Sequence, residues 1–470
     1  LSIFRPALAA ALLIATPAAA QQLTADETAK VDTIVGDALK SSGAPSASVA
    51  IVRDGKIVFA KAYGDQGPGM KATSPAAKYQ IASISKQFTA AAILLLEDEG
   101  KLSLDDKVSK WVPDITDADK ITIRQLLSHT AGLQDYWPQD YDFAAMSTPV
   151  TPQQILDRWA KKPLDFAPGT AWQYSNTGYV VAGMIIEKAS GMKLLDYLQK
   201  KILKPLGIDA MDQDYAIGKG FPQGNHRFAL GPVRPAKPAA HGWLWAAGEL
   251  AMSASDLAKW DIARIDRKIL SPEDWETQET SIKLLGGADT HYGLGVSVGY
   301  RDGVRSVEHG GEAVGFLSDN FVIPEKRFAV VALVNADFGG AQDAITGGIT
   351  DLLLPAAPPP MRPLTIDEAR DQLAKIVFDQ LRGGTLDRSK LTENAAYYFT
   401  PQATGDYHTS LAPLGDPASF TAIGKPRLRG GFVNRNYMIT YPDGRKLVAI
   451  TYAEPGTDGK FEQFLIQPRD

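Results

Sequence analysis

The sequence predicts an α/β (α+β) protein. One antiparallel sheet flanked by helices is assembled from both ends of a long N-terminal region, and a smaller α+β unit follows it. Three observations carry this. Two β-rich runs, 48–52 and 56–60, flank Arg53-Asp54-Gly55, and Asp-Gly between such runs reads as a hairpin. Strand-like runs return at 293–300, 304–308 and 328–335, with helical stretches in between. A proline cluster at 355–360 then breaks the composition, and a new pattern starts behind it.

Taken in order, Arg5 precedes an apolar run over 7–15 and then Pro17-Ala18-Ala19-Ala20. A positive start, a short apolar stretch and small residues describe a signal peptide cleaved after Ala20, so a secreted or periplasmic protein is expected. The run is too short to span a bilayer, which takes about 20 residues, and no stable membrane insertion is expected. The main domain is expected over 21–354. Within it, the Ala- and Leu-rich stretch from Gln87 to Glu99 ends at Gly100, as a buried helix with a glycine just past its end does. A Pro-rich linker covers 355–363, and an accessory α+β domain covers 364–470. That domain opens on a capping box, Thr365 to Glu368. A helix carrying Ile366, Ala369, Leu373, Ile376 and Leu381 follows and stops at Gly383-Gly384. Strands are then expected at 432–441, 446–452 and 460–466, the first two joined by Pro442-Asp443-Gly444.

Composition excludes several classes. The 470 residues are 44% hydrophobic and 22% charged with a net charge of −5, which is ordinary for a globular chain and lacks the basic excess of a nucleic-acid binder. There is no cysteine, which removes disulfides, thiolate metal sites and a cysteine nucleophile. The six histidines, 129, 226, 241, 291, 309 and 408, fall in no metal-ligand spacing. Neither a metal nor a cofactor is expected, and the partner is a small-molecule or peptide substrate.

The chemistry concentrates in three segments. Gln80-Ile81-Ala82-Ser83-Ile84-Ser85-Lys86 places Ser-x-x-Lys at a helix start, where residues three apart share a face. A serine hydroxyl needs a neighbour to take its proton, and lysine serves if desolvation lowers its pKa from about 10.4. Trp172-Gln173-Tyr174-Ser175-Asn176 brings a phenol and an amide two residues apart in a polar turn. Glu308-His309-Gly310-Gly311-Glu312 ends a strand, and its paired glycines let the backbone approach a ligand closely.

Ser-x-x-Lys, Tyr-x-Asn and a Lys/His-x-Gly strand, in that order, resemble the serine β-lactamase and penicillin-binding protein superfamily. The Tyr-x-Asn form is similar to its class C branch. Leu126 to Leu133 (LLSHTAGL), Pro168-Gly169-Thr170 and Gly315-Phe316 agree. The resemblance implies a sheet domain joined to an all-helical lobe with the site between them. It implies Ser83 as acylated nucleophile, Lys86 as its partner, Tyr174 as base or proton relay, and Asn176 orienting substrate. It also implies an oxyanion hole from the N–H groups of Ser83 and Glu312. His309 stands where β-lactamases carry a lysine, and His-x-Gly looks more like the D-aminopeptidase and carboxylesterase relatives. An ester or amide hydrolase is therefore expected first. A β-lactamase or D-alanyl-D-alanine carboxypeptidase is the alternative, and a binding protein with a relic site is the non-catalytic one. The C-terminal unit loosely resembles the cone-like fold of SnoaL-like proteins.

Other signals are set aside. Gly295-Val296-Ser297-Val298-Gly299 matches a nucleophile elbow but sits in an alternating β run, not between a strand and a helix. Tyr136, Trp137, Tyr141, Trp243 and Trp245 are expected mainly as packing residues, and His129 as a structural hydrogen-bonding one.

Overall fold

The computed structural model describes residues 22–70, 73–355, 368–456 and 458–469. The segment read as a signal peptide, most of the Pro-rich linker and Thr365 of the capping box lie outside the described residues.

Helix α1 (Ala25–Ser42) starts on a capping box between Thr24 and Glu27 and leads into the hairpin β1 (Ser46–Arg53) and β2 (Lys56–Gly64). Asp54 and Gly55 both take positive φ, 55° and 72°, as a two-residue turn between twisted strands requires. The other strands come from the far end of the region: β3 (Ser297–Arg301), β4 (Val304–Ala313), β5 (Phe316–Ile323) and β6 (Phe328–Val334). The sheet is antiparallel, in the order β2-β1-β6-β5-β4-β3.

Central strands β1 and β6 are buried on both faces, which is why they read as continuous apolar runs. Val49, Ile51, Val330 and Ala332 pack with Val31 and Val35 of α1 and with Ile345 and Ile349 of the C-terminal helix Ala341–Leu353. Ala50, Val52, Ala329 and Val331 face the opposite way, into the larger core with Leu257 and Ala258.

Between β2 and β3 the chain builds a mainly helical lobe. It includes α2 (Lys86–Asp98), α3 (Asn176–Ser190) and α4 (Ala254–Ile265). It is not purely helical: Tyr79–Gln80, Leu250–Met252 and Met211–Asp212 form a short three-stranded sheet.

Three strand expectations shift. The run expected from 293 becomes strand only at Ser297, because 293–296 are irregular. Strand β4 continues to Ala313, so His309 to Glu312 lie inside it and not at its end. Strand β5 went unread because Ser318-Asp319-Asn320 interrupts its apolar pattern. These three are buried but satisfied: Ser318 Oγ donates to Ile81 O at 3.0 Å, Asn320 Nδ2 to Asp261 Oδ1 at 2.7 Å, and Thr346 Oγ1 donates to Asp319. Buried polar groups persist when they are paired.

Beyond the linker, helices Glu368–Gly383, Glu393–Tyr398 and Pro401–Leu411 precede an antiparallel meander. Its strands are β7 (Ser419–Arg429), β8 (Phe432–Thr440), β9 (Lys446–Ala453) and β10 (Phe461–Arg469). Strand β7 and the two shorter helices have no counterpart among the elements expected from sequence. This second sheet has its own cluster, with Val377, Phe378, Leu381, Tyr407, Tyr437, Ile439 and Phe464, which Ala229 of the first region joins. No helix among the described residues is long and apolar enough to cross a membrane.

Candidate active site

Ser83 sits in a 3₁₀ turn, Ala82–Ser85, that runs directly into α2. The preceding Ala82 has φ 46°, a left-handed conformation that costs a non-glycine residue energy and persists only where its surroundings enforce it. Here Ile81 N–H donates to Leu250 O at 3.0 Å and Leu250 N–H donates to Ser85 Oγ at 3.0 Å, fixing both ends of the turn. Strand β4 presses on the same turn. A Cβ on Gly311 would stand 2.2 Å from Ile81 O, so the glycine lets the strand pack against the nucleophile turn, and it also lines the cavity. Gly310 has only Ser318 O nearby, at 3.8 Å from an added Cβ, and borders the open cavity.

Lys86 is fully buried, and its Nζ lies 2.9 Å from Ser83 Oγ, 2.8 Å from Asn176 Oδ1 and 2.8 Å from Ala247 O. Burial pushes its pKa well below the ordinary lysine range; Asp135 opposes that and Arg429 assists it. A neutral amine has two N–H donors and one lone pair. Asn176 Oδ1 and Ala247 O accept the two donors, which leaves the lone pair facing the Ser83 hydroxyl.

Asn176 is the first residue of α3, after the N-cap Ser175, and not part of a free turn. Its Nδ2 donates to Asp135 Oδ1 and Oδ2 at 3.2 and 3.4 Å. Both ends of its amide are therefore engaged inside the protein. Tyr174 places its ring 4.9 Å from Lys86 Nζ and 4.7 Å from the Arg429 guanidinium carbon. Burial raises the phenol above its usual range, while a hydrogen bond with Ser83 and the charge of Arg429 pull it back.

His309 is buried and chained to the rest. Ser175 N–H donates to His129 Nδ1 at 3.1 Å, so His129 Nε2 carries the proton and donates to the Tyr292 oxygen at 3.2 Å. The Tyr292 hydroxyl donates to His309 Nε2 at 2.8 Å, and His309 Nδ1–H donates to Gly310 O at 2.5 Å. Each tautomer follows from its neighbour's role. Burial and the nearby Lys86 lower His309 to about 3, so it is neutral at physiological pH. His129 has the structural role expected of it.

These groups line a cavity of about 320 Å³ that includes Ser83, Trp137, Gln139, Asp140, Tyr174, Asn176, His309 to Glu312 and Arg429. Trp137 is thus both packed and cavity-lining, whereas Tyr136, Tyr141 and Trp243 are buried packing residues. Ser297 is exposed on the edge strand β3, far from an elbow geometry. Among the described residues no group of His, Asp or Glu could hold a metal.

Residues 31–351 match the beta-lactamase family. The chain belongs to that family. Penicillin-binding protein 4* of Bacillus subtilis (strain 168) is 30% identical over 286 residues, covering 55% of this chain and 61% of its own. Protein flp of Staphylococcus aureus (strain NCTC 8325 / PS 47) is 28% identical over 333 residues, covering 67% and 64%. The chain thus spans under two thirds of the length of these curated relatives. Among solved structures, the octameric penicillin-binding protein homologue from Pyrococcus abyssi superposes with a TM-score of 0.62 at 25% identity, over 93% of this chain and 99% of that one. A D-stereospecific amidohydrolase from Streptomyces sp. gives 0.59 at 28% identity, over 70% and 99%. Two of these are named as penicillin-binding proteins or homologues and one as a D-stereospecific amidohydrolase, and the family of beta-lactamase fold is generally hydrolytic. The Pyrococcus abyssi match extends over the C-terminal unit, and the SnoaL-like likeness of that unit is not confirmed.

Sequence reasoning missed the residues behind this beta-lactamase-family site. Asp135, Tyr292 and the carbonyl of Ala247 carry no motif signal. Arg429 reaches the cavity from the tip of β7: its Nε donates to Asp135 Oδ2 at 3.0 Å and its Nη2 to Trp137 O at 3.3 Å. No local pattern reveals a contact across 294 positions of sequence.

Proposed function

We propose that this protein is an exported serine hydrolase that cleaves an ester or amide bond in D-amino-acid peptide-like substrates through an acyl-enzyme on Ser83. The observation that carries this is the buried Lys86 amine, its donors spent on Asn176 and Ala247, 2.9 Å from Ser83 Oγ. Ser83 Oγ attacks the substrate carbonyl as its proton passes to Lys86. Tyr174 relays that proton to the departing amine or alcohol, and the acyl group remains on Ser83. Water then attacks the acyl carbon and gives a proton to the same pair, which returns it to Ser83 Oγ as the acyl–oxygen bond breaks and the acid leaves. The N–H groups of Ser83 and Glu312 are assigned to the oxyanion, which such donors stabilise in the transition state. Asn176 is assigned first to holding Lys86 and only through it to the substrate. The Arg5-led apolar segment supports export.

The penicillin-directed alternative draws support from the names of the relatives and from Arg429, a cation in the cavity that His309 does not supply. Arg429 is already committed to Asp135, however, and Asp140, Glu312 and Asp343 line the same space. Burial raises the pKa of all three carboxyls, Glu312 well above its ordinary range, so the cavity holds a committed cation and, among the described residues, no free one, which favours neutral substrates over anionic β-lactams. The test is a comparison of kcat/KM for a p-nitrophenyl ester, a D-alanine anilide and nitrocefin. Turnover of nitrocefin above the other two would move the β-lactamase reading ahead. A fluorophosphonate that fails to label Ser83 would favour the non-catalytic binding protein.

A further inference from the structure

We propose that Arg429, on the second sheet, is a positioning residue for the Lys86 amine, acting through Asp135 and Asn176. This rests on the reading of Ser83 and Lys86 as nucleophile and base. The path is continuous: Arg429 Nε to Asp135 Oδ2 at 3.0 Å, Asn176 Nδ2 to Asp135 Oδ1 at 3.2 Å, and Lys86 Nζ to Asn176 Oδ1 at 2.8 Å. Asp135 has a fully buried side chain, and Arg429 is its ion-pair partner. Asp135 also accepts from the N–H groups of Asn176 and Trp137, both at 3.1 Å. One carboxylate therefore ties the start of α3, the loop after 135 and the second sheet together.

The arrangement has an electrostatic consequence. A carboxylate near an amine favours the ammonium form, which has no lone pair to take the Ser83 proton. The guanidinium of Arg429 offsets that charge. The titratable groups facing Lys86 are Asp135, Arg429, the phenols of Tyr174 and Tyr179, and the imidazoles of His129 and His309. Burial keeps both imidazoles neutral and raises both phenols, so Asp135 and Arg429 are left as the charges that act on the amine.

The second sheet also fixes the loop that carries these contacts. Gln463 on β10 bonds both the N–H and the carboxylate of Asp140, the latter from Nε2 at 2.7 Å, and the Tyr141 hydroxyl donates to Glu462 O. The tip of β7 rests against Pro138, 2.5 Å from where a Cβ on Gly430 would stand. Arg429 is thus held at the cavity by a docked surface and not by a free loop.

The test is the rate of fluorophosphonate labelling of the full chain against pH. In wild type the rate should rise along an acid limb as Lys86 loses its proton. Arg429→Gln is expected to move that limb upward by about one pH unit, with about tenfold slower labelling below it and recovery above it. Arg429→Lys, which keeps the cation, is expected to stay near wild type. A limb for Arg429→Gln that superimposes on wild type, with any loss equal at all pH values, would overturn the proposal. Should that variant not fold, Asp135→Asn/Arg429→Gln replaces it. With both charges gone its limb should lie at or below that of wild type, and an upward displacement would equally overturn the proposal. An unlabelled wild type would instead sink the nucleophile reading itself.

Discussion

The two sheets differ in how they are closed. In the first, β1 and β6 are buried along nearly their whole length, covered on both faces by helices of the same region. In the second, β7 and β8 are only half-buried or exposed for most of their length. The first region supplies Ser83, Lys86, Tyr174 and Asn176 from its helical lobe and His309 from β4, elements that pack against one another. The second contributes through its tip and edge, where Arg429 and Gln463 meet Asp135 and Asp140. A rigid, doubly covered region is suited to hold reacting atoms in place. The difference teaches that the more open region need not build a core to matter: its contacts decide which buried charges at the site are compensated.

The comparison is broken most severely at Ser83. Ser83→Ala should abolish both hydrolysis and fluorophosphonate labelling while the circular dichroism spectrum stays native. Wild-type turnover in that variant would place the nucleophile elsewhere. Next come Lys86→Ala and Tyr174→Phe, each expected to slow acylation by ~10²–10⁴-fold. The double variant should lose less than the product, since the two serve one proton path; stopped-flow burst rates measure this, and full multiplicativity would separate their roles.

Removal of residues 356–470 sharpens the contrast. The prolines alone suggest two independent units and an active fragment, but the contacts of Arg429 and Gln463 say otherwise. The fragment 21–355 is expected to lose at least about tenfold in labelling rate near pH 7, because Asp135 loses its ion-pair partner Arg429. Equal rates for fragment and full chain would show that the second sheet is dispensable.

The smallest effect on activity is expected inside the first region, where the change is one of stability. Asp261 is fully buried and its pKa is raised from 3.8 to about 7, by burial first, with Asn320 and Arg264 opposing. Its protonated form favours the fold. The native state therefore binds the extra proton, and stability falls as pH rises from about 4 to 7, by up to roughly 1.4 kcal/mol per unit. Asp261→Asn should raise Tm at pH 8 relative to wild type and do so less at pH 5. A gain independent of pH would mean that Asp261 is not the titrating group.

Much of this was legible in the chain. The hairpin at Asp54-Gly55, the helix ended by Gly100 and the three motif segments are local patterns whose chemistry depends on residues a few positions apart. The interior of β4 and the whole of β5 were harder, because buried polar residues such as Ser318 and Asn320 look like loop until their distant partners Ile81 and Asp261 are known.

By itself, the sequence determined the sheet-and-helix class and the meeting of Ser83 with Lys86, since residues three apart at a helix start share a face whatever surrounds them, and its second motif pointed to Tyr174. Only the tertiary structure decided that Lys86 is fully buried, that Asn176 faces Lys86 and Asp135, that burial keeps His309 neutral against Tyr292, and that Arg429 completes the site. The physical reason is that a charge state depends on everything within a few ångströms. In a folded chain those neighbours come from α2, α3, β4 and the tip of β7, far apart in sequence.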